Sequence, residues 1–172
     1  MKQLNVKKML ALQIQDNFFT EKEFKIIINN LNKIDFKPST NEDYHHFSFN
    51  HEFDPDDENQ WIFNKIKNIF FKENLNVVRC RFDMRHNKNQ VIAHVDSEDT
   101  SHNCIIYLKG DELLHNGTGF YYKNNLHSYV GFVKNRALFF NGSKVYHTDL
   151  QGLGPSSMRY TLNIFYERVK NG

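Results

Sequence analysis

The sequence predicts an α+β chain that is mainly β, an antiparallel sandwich or jelly roll faced by helices from its N-terminal part. Three observations point there. Apolar residues recur at helical spacing only ahead of Asn76. From Asn76 to Glu167 they alternate, or run in short blocks of β-branched and aromatic residues. Asn141-Gly142, between two of those blocks, is the strongest short hairpin signal in the chain.

In chain order, residues 9–15 (MLALQIQ) alternate in their second half and read as a strand. Thr20-Glu21-Lys22-Glu23 is a capping box, and Phe24, Ile27, Ile28 and Leu31 follow it on one helical face. Residues 44–50 alternate again. Asp57-Glu58-Asn59-Gln60 starts a second helix that carries Trp61, Ile62, Ile66, Ile69 and Phe70 at helical spacing. The expected strands beyond it are 77–84, 91–95, 103–109, 119–122, 128–133, 137–140, 144–147 and 158–167. Gly152, Gly154 and Pro155 mark a loop before the last of these.

The 172 residues suit a single domain able to bury its own core, with 1–75 as a helical lead-in with supporting strands and 76–168 as the β core. A content of 15% aromatic residues, 16 of them Phe, speaks against disorder. Lys and Arg number 22 against 20 Asp and Glu, so no global field favours nucleic acid or a membrane surface. No window approaches the roughly 18 consecutive apolar residues of a membrane span, and Met1-Lys2-Gln3-Leu4 opens no signal peptide. Cys80 and Cys104 form neither a disulfide framework nor a CxxC knuckle, and a reducing, cytoplasmic location is the expectation.

The sharpest chemical feature is His94-Val95-Asp96. On extended chain, residues i and i+2 point the same way, so this imidazole and carboxylate can converge on one point. His147, at the end of its own predicted strand, is the best-placed third ligand; His127 and His115 are the fallbacks. Two imidazoles and a carboxylate on one face of an ion leave three open positions, which suits non-haem Fe(II); the same ligands would also hold Zn²⁺ or Ni²⁺. Twelve positions after His147 stands Arg159, opening RYTLNIFYE. Alternation puts Arg159, Thr161, Asn163 and Phe165 on one face, and Tyr160, Leu162, Ile164 and Tyr166 on the other. Periodicity alone fits two arrangements. The strand is either half-exposed, with its polar face in water, or buried on both faces, with Arg159 placed to hold a carboxylate by a bidentate fork.

His94-x-Asp96, His147 and Arg159, in that order, resemble the signature of the Fe(II)- and 2-oxoglutarate-dependent dioxygenases, in particular the prolyl-hydroxylase-like branch. The strand-to-helix stretch 9–31 is similar to that branch's lead-in. Residues 104–109 (CIIYLK) resemble its aliphatic strand ending in Tyr-Leu-Asn, with Lys109 in place of the Asn. Gly117-Thr118-Gly119-Phe120 stands where the branch has a Gly-Gly turn. The resemblance implies a double-stranded β-helix (jelly roll, cupin-like) in which His94, Asp96 and His147 bind Fe(II) and Arg159 pairs with the distal carboxylate of 2-oxoglutarate. Tyr107 matches a position whose hydroxyl often shares that carboxylate, though it reads equally as a core aromatic. Thr161 or Asn163 would assist, and Asn103 is a further co-substrate contact. The implied activity couples 2-oxoglutarate decarboxylation by O₂ to hydroxylation of a peptidyl proline or a small molecule. A jelly-roll binding module with a vestigial metal site is the alternative from another class. A nucleic-acid-modifying dioxygenase is a third, ranked lower because the chain is nearly neutral.

Several features lie outside this set. His45, His46 and His51 could form a second metal cluster but lack a carboxylate pattern. Arg79, Arg81 and Arg85 share one strand face and read first as a solvent-facing stripe, second as a contact for an anionic substrate. The loops 84–90, with His86 and Asn87, and 97–102 are the expected substrate-facing segments or else plain surface.

Overall fold

In the computed structural model of the chain, the residues described are 12–38, 48–54, 58–70, 75–86, 93–97, 100–113, 116–149 and 158–169. Among these residues, helices α1 (Glu21–Leu31) and α2 (Gln60–Phe70) accompany ten strands: β1 (Gln13–Gln15), β2 (Lys37–Pro38), β3 (Ser48–Phe53), β4 (Leu75–His86), β5 (His102–Lys109), β6 (Thr118–Tyr122), β7 (Asn125–Val130), β8 (Ala137–Phe140), β9 (Tyr146–Asp149) and β10 (Met158–Arg168). Seven form one sheet in the order β1-β8-β5-β10-β4-β3-β2, and three form a second, β7-β6-β9. Every pairing is antiparallel. The two sheets close on each other as a jelly roll, and the helices cover the outer face of the larger one.

The helices form where their caps and stripes dictate. Thr20 Oγ1 accepts the amide of Glu23, and the Glu23 carboxylate accepts the amide of Thr20 at 2.7 Å, which satisfies two of the donors a helix start leaves open. Glu23 also takes the ammonium of Lys65 at 2.6 Å, tying α1 to α2. Ile27 and Leu31 of α1 and Ile62, Phe63, Ile66 and Phe70 of α2 are buried. Phe70 stacks between Phe18, at 5.7 Å, and Phe139 of β8, at 5.4 Å, which joins helix to sheet. Ile69, expected on that face, is 44% exposed, because Phe63 takes its place in the stripe.

The strands follow the expected pattern with four corrections. Of the strand expected at 91–95, the described residues 93–95 form only an isolated bridge, His94 with His147. β4 runs to both sides of the expected 77–84, since its full length pairs with β10. The strand expected at 128–133 is Asn125–Val130, set by its register with β6. The strand expected at 144–147 is Tyr146–Asp149, which places Asp149 two residues after His147 on the same face. The Asn141-Gly142 hairpin is also overturned. β8 pairs with β5 and β1 in the large sheet, whereas β9 pairs with β6 in the small one. The segment is therefore a tight crossing from sheet to sheet, closed by the amide of Val145 on the carbonyl of Asn141 at 3.1 Å.

β10 is the centre of the large sheet and is buried on both faces. Leu162, Ile164 and Tyr166 join the apolar layer under the helices, with Cys80, Cys104, Ile106, Leu108 and Phe139. Arg159, Thr161, Asn163 and Phe165 face the space between the sheets. A second apolar cluster, of Ile105, Tyr107, Phe120, Val130, Phe132, Leu138, Phe140 and Val145, seals one end of that space. Cys80 and Cys104 are free and buried, and burial pushes the Cys80 thiol up to about 12. Among the described residues, no helix is long and apolar enough to cross a membrane.

Candidate metal and anion site

His94 and His147 exchange both backbone hydrogen bonds, His94 N to His147 O at 3.0 Å and the reverse at 2.8 Å, so their side chains lie side by side. Their rings are 4.8 Å apart. Asp96, two residues on, is fixed by its amide on the carbonyl of Gly142 at 2.9 Å. A Cβ at Gly142 would overlap Asp96 Oδ2, so close approach of the carboxylate, rather than hairpin twist, requires glycine there. One ligand atom from each of His94, Asp96 and His147 lies within 4.8 Å of the others, the one such cluster among the described residues.

The surroundings prepare these groups for a cation. His147 Nδ1 lies 3.0 Å from the carbonyl of Val145, so its proton belongs there and the Nε2 lone pair faces Asp96 Oδ1, 3.8 Å away. Burial pushes the His147 pKa below its ordinary value, only partly countered by Asp96, and this favours the neutral, ligating form. Phe140 packs edge-on to the His147 ring at 4.7 Å. Asn103 Nδ2 donates to Asp96 Oδ2 at 3.4 Å, while Asn103 Oδ1 is buried with no hydrogen-bond partner. His147 is buried whereas His94 and Asp96 are half-buried, so the cluster is open on one side. Donor types, spacing and outer contacts therefore fit a divalent metal of the non-haem iron class.

The sheet interior beyond the cluster is a network of cations and carboxylates. Arg159 is 5% exposed; its Nη1 donates to the carbonyls of Gly117, at 2.6 Å, and Asn116, at 3.2 Å, and its Nη2 pairs with Asp149. A Cβ at Gly117 would overlap the Val130 carbonyl, so this Arg-binding turn also needs its glycine. Asp149 Oδ2 takes Arg85 Nη1 at 2.5 Å. Burial raises the Asp149 carboxyl, but the guanidiniums of Arg159 and Arg85 outweigh it and hold the group well below the usual carboxylate range. Deeper in, Asp83 is 1% exposed and takes Arg81 Nε at 3.0 Å and the amide of Asn163, which also donates to Thr161 Oγ1 at 3.1 Å. Thr161, Asn163, Asn103 and Arg159 thus line one cavity of about 40 Å³ with His94, Asp96 and His147.

Tyr107 differs from that group. It is fully buried, its hydroxyl lies 2.8 Å from Thr118 Oγ1 and 3.2 Å from the Val130 carbonyl, and its ring stacks on Phe132. Burial pushes its phenol up to about 12 despite Arg159 nearby. The arginine stripe is corrected: Arg81 and Arg85 line the inner cavity with Asp83 between them, and only Arg79 is exposed, over the Phe165 ring at 4.3 Å. His127 is exposed on β7, away from the cluster, and His51 is exposed on β3. His45, His46, Asn87 and His115 lie outside the described residues, as does the His86 side chain. Sequence reasoning missed Asp149, Asp83 and the role of Gly142. Asp149 had a signal, being an acid at i+2 from a proposed ligand on an extended segment.

Neither a protein-family model nor a curated protein sequence matches the chain. Solved structures nevertheless define its class of fold, the jelly roll of the 2-oxoglutarate–Fe(II) oxygenases. Among them, a prolyl-4-hydroxylase from Pseudomonas putida superposes with a TM-score of 0.69 at 13% identity, over 95% of this chain and 96% of that one. HygX from Streptomyces hygroscopicus, with nickel and 2-oxoglutarate bound, gives 0.67 at 10% identity over 97% and 86%. A Trichoplax adhaerens prolyl hydroxylase, in complex with a fragment of a hypoxia-inducible-factor degradation domain, gives 0.67 at 12% identity over 95% and 86%. At these identities the likeness is one of fold, and the chemistry has to be argued from the residues.

Proposed function

We propose that the chain is an Fe(II)- and 2-oxoglutarate-dependent dioxygenase, a hydroxylase acting on a protein prolyl or small-molecule substrate. The observation that carries this reading is the convergence of His94, Asp96 and His147 beside a buried arginine, Arg159, in one cavity between the sheets. A metal site with only a structural role has no use for a buried guanidinium at its side. When bound, Fe(II) and 2-oxoglutarate would supply oxidative decarboxylation by O₂ coupled to C–H hydroxylation.

The chain's own residues supply binding, orientation and dryness. His94, Asp96 and His147 would hold the ion on one face and leave the opposite positions open. The Val145 carbonyl keeps His147 in the tautomer that ligates through Nε2, and Asn103 steadies Asp96. Arg159, aimed by the carbonyls of Asn116 and Gly117, would take the distal carboxylate of the co-substrate. Thr161 and Asn163 offer further polar contacts on the same strand, and Phe140 keeps water from one side of His147.

A groove of about 480 Å³ has Ser97, one residue beyond Asp96, in its wall, and falls in the size range of ligand sites. Its walls carry Glu52, Asp54 and Arg79, which supports a polar peptide or small-molecule substrate.

The test is anaerobic addition of Fe(II) with and without 2-oxoglutarate, read by the charge-transfer absorption of the chelate. The reading expects a band that is absent in His94→Ala and weakened in Arg159→Ala, followed by succinate release across a peptide and metabolite panel. Absence of the band in folded, metal-loaded protein would leave a jelly-roll binding module as the better account.

A further inference from the structure

We propose that Asp149 is a built-in competitor for Arg159: its carboxylate occupies the seat of an incoming carboxylate, and a 2-oxo dicarboxylic acid binds by displacing Asp149 onto Arg85. This rests on the reading that the site takes 2-oxoglutarate, and it adds what sets the affinity for that ligand.

The geometry leaves few donors for a ligand. Both Nη1 hydrogens of Arg159 are spent on the carbonyls of Asn116 and Gly117, so a carboxylate is left Nη2 and Nε. Asp149 holds Nη2. It does so from β9, where it shares a face with His147, so the competitor stands on the same strand as a proposed metal ligand. The cavity agrees: about 40 Å³ is room for about three or four water-sized spheres of roughly 10–15 Å³ each, not for a five-carbon dicarboxylate. Asp149 is one of its walls.

The charges agree as well. Arg81, Arg85 and Arg159 are balanced by Asp83, Asp96 and Asp149, so the described residues present no surplus cation to a distal carboxylate. A divalent metal adds two positive charges and a 2-oxo dicarboxylate adds two negative ones, which keeps the site neutral. The only rearrangement required is local. Asp149 already has its second oxygen on Arg85, and Arg85 sits directly across the β4–β10 ladder from Arg159. On release from Arg159 the carboxylate therefore keeps a charge partner and is not stranded in the interior.

The experiment is calorimetric titration of anaerobic Fe(II)-loaded protein with 2-oxoglutarate and with 2-oxopentanoate, which has the same chain length and no distal carboxylate. Asp149→Asn is expected to bind 2-oxoglutarate about tenfold more tightly, ~1.4 kcal/mol, and 2-oxopentanoate as before. Arg85→Gln is expected to weaken 2-oxoglutarate binding by a similar factor, because Asp149 then has nowhere else to go. In an Asp149→Asn background, Arg85→Gln should have little effect.

Unchanged or weaker 2-oxoglutarate binding by folded Asp149→Asn overturns the proposal. So does an Arg85→Gln loss of equal size in both backgrounds, which would make Arg85 a direct ligand contact. If Asp149→Asn does not fold, Asp149→Ser takes its place in both backgrounds: tighter 2-oxoglutarate binding that removes the Arg85→Gln loss supports the proposal, and unchanged or weaker binding overturns it. Failure of wild-type and variants alike to bind 2-oxoglutarate removes the dioxygenase reading itself, a result distinct from binding without tightening.

Discussion

The two faces of β10 are built from one strand and do opposite work. On one face Leu162 and Ile164 are fully buried against the layer under α1 and α2, with no polar atom to satisfy. On the other, Arg159, Thr161 and Asn163 are as deeply buried, yet each is held in a network of hydrogen bonds and ion pairs. Burial is the same and its energetics are not. The apolar face stabilises by removing area from water, about 25 cal/mol per Å². The polar face must recover its desolvation cost bond by bond, and the return is a positioned set of charges. Stability and chemistry are thus divided along a strand by the alternation of its side chains.

The most severe way to break this division is to remove a proposed metal ligand. On the proposed function, His147→Ala should lower divalent metal affinity by more than the roughly 10–100-fold that loss of an outer-sphere partner causes, and abolish turnover. The melting temperature of the metal-free protein should change far less, because His147 belongs to the polar interior. Metal titration and a thermal scan on the same sample check both halves. The complementary change, Ile164→Ala, should destabilise by about 2–5 kcal/mol through cavity formation. For a chain of this size that is a melting point lower by ~2–4 °C per kcal/mol. Metal affinity of the folded fraction should stay as it was. An Ile164→Ala protein of normal stability and impaired metal binding would refute the division.

Gly142→Ala sharpens it. The added methyl would collide with the Asp96 carboxylate, so metal affinity should fall roughly 10–100-fold, like loss of an outer contact, with little change in core packing. Acid sensitivity is a smaller effect. Because Asp149 is held below its ordinary 3.8, the unfolded chain takes up a proton that the folded one refuses as pH falls past that value. Its contribution is complete above about pH 3.8 and is lost below it, at up to ~1.4 kcal/mol per pH unit. Acid unfolding of metal-free Asp149→Asn should be correspondingly flatter there, measured by far-UV circular dichroism against pH.

Much of this was legible in the sequence, and the gaps have physical reasons. The capping box at Thr20 and the β-rich second half could be read because both are local patterns. His94 and Asp96 fall together because any extended segment places i and i+2 on one side. What local pattern does not encode is which sheet a strand joins. Asn141-Gly142 carries the same turn signal whether it closes a hairpin or lets the chain cross between sheets past Asp96. Arg81 and Arg85 alternate identically whether their face meets water or the interior. Only the pairing of β4 with β10 and the approach of β9 reveal that Asp83 and Asp149 lie among them.

Tyr107→Phe gives the smallest effect and tests where the polar interior ends. The tyrosine is fully buried, with its hydroxyl on Thr118 and the Val130 carbonyl and its ring in the apolar end cluster. Its ring also lies 5.7 Å from the Arg159 guanidinium, which couples the two regions without a hydrogen bond. If the hydroxyl serves the fold, phenylalanine should cost about 0.5–1.5 kcal/mol of stability and leave the affinity for 2-oxoglutarate within about twofold, since the aromatic face toward Arg159 remains. If it serves the co-substrate, affinity should fall about tenfold or more, as expected when a hydrogen bond to a charged group is lost. Chemical denaturation and co-substrate titration of one variant separate these outcomes, and the contacts of the hydroxyl favour the first. Tyr107 then marks the border between the polar network around Arg159 and the apolar end cluster that holds the sheets together.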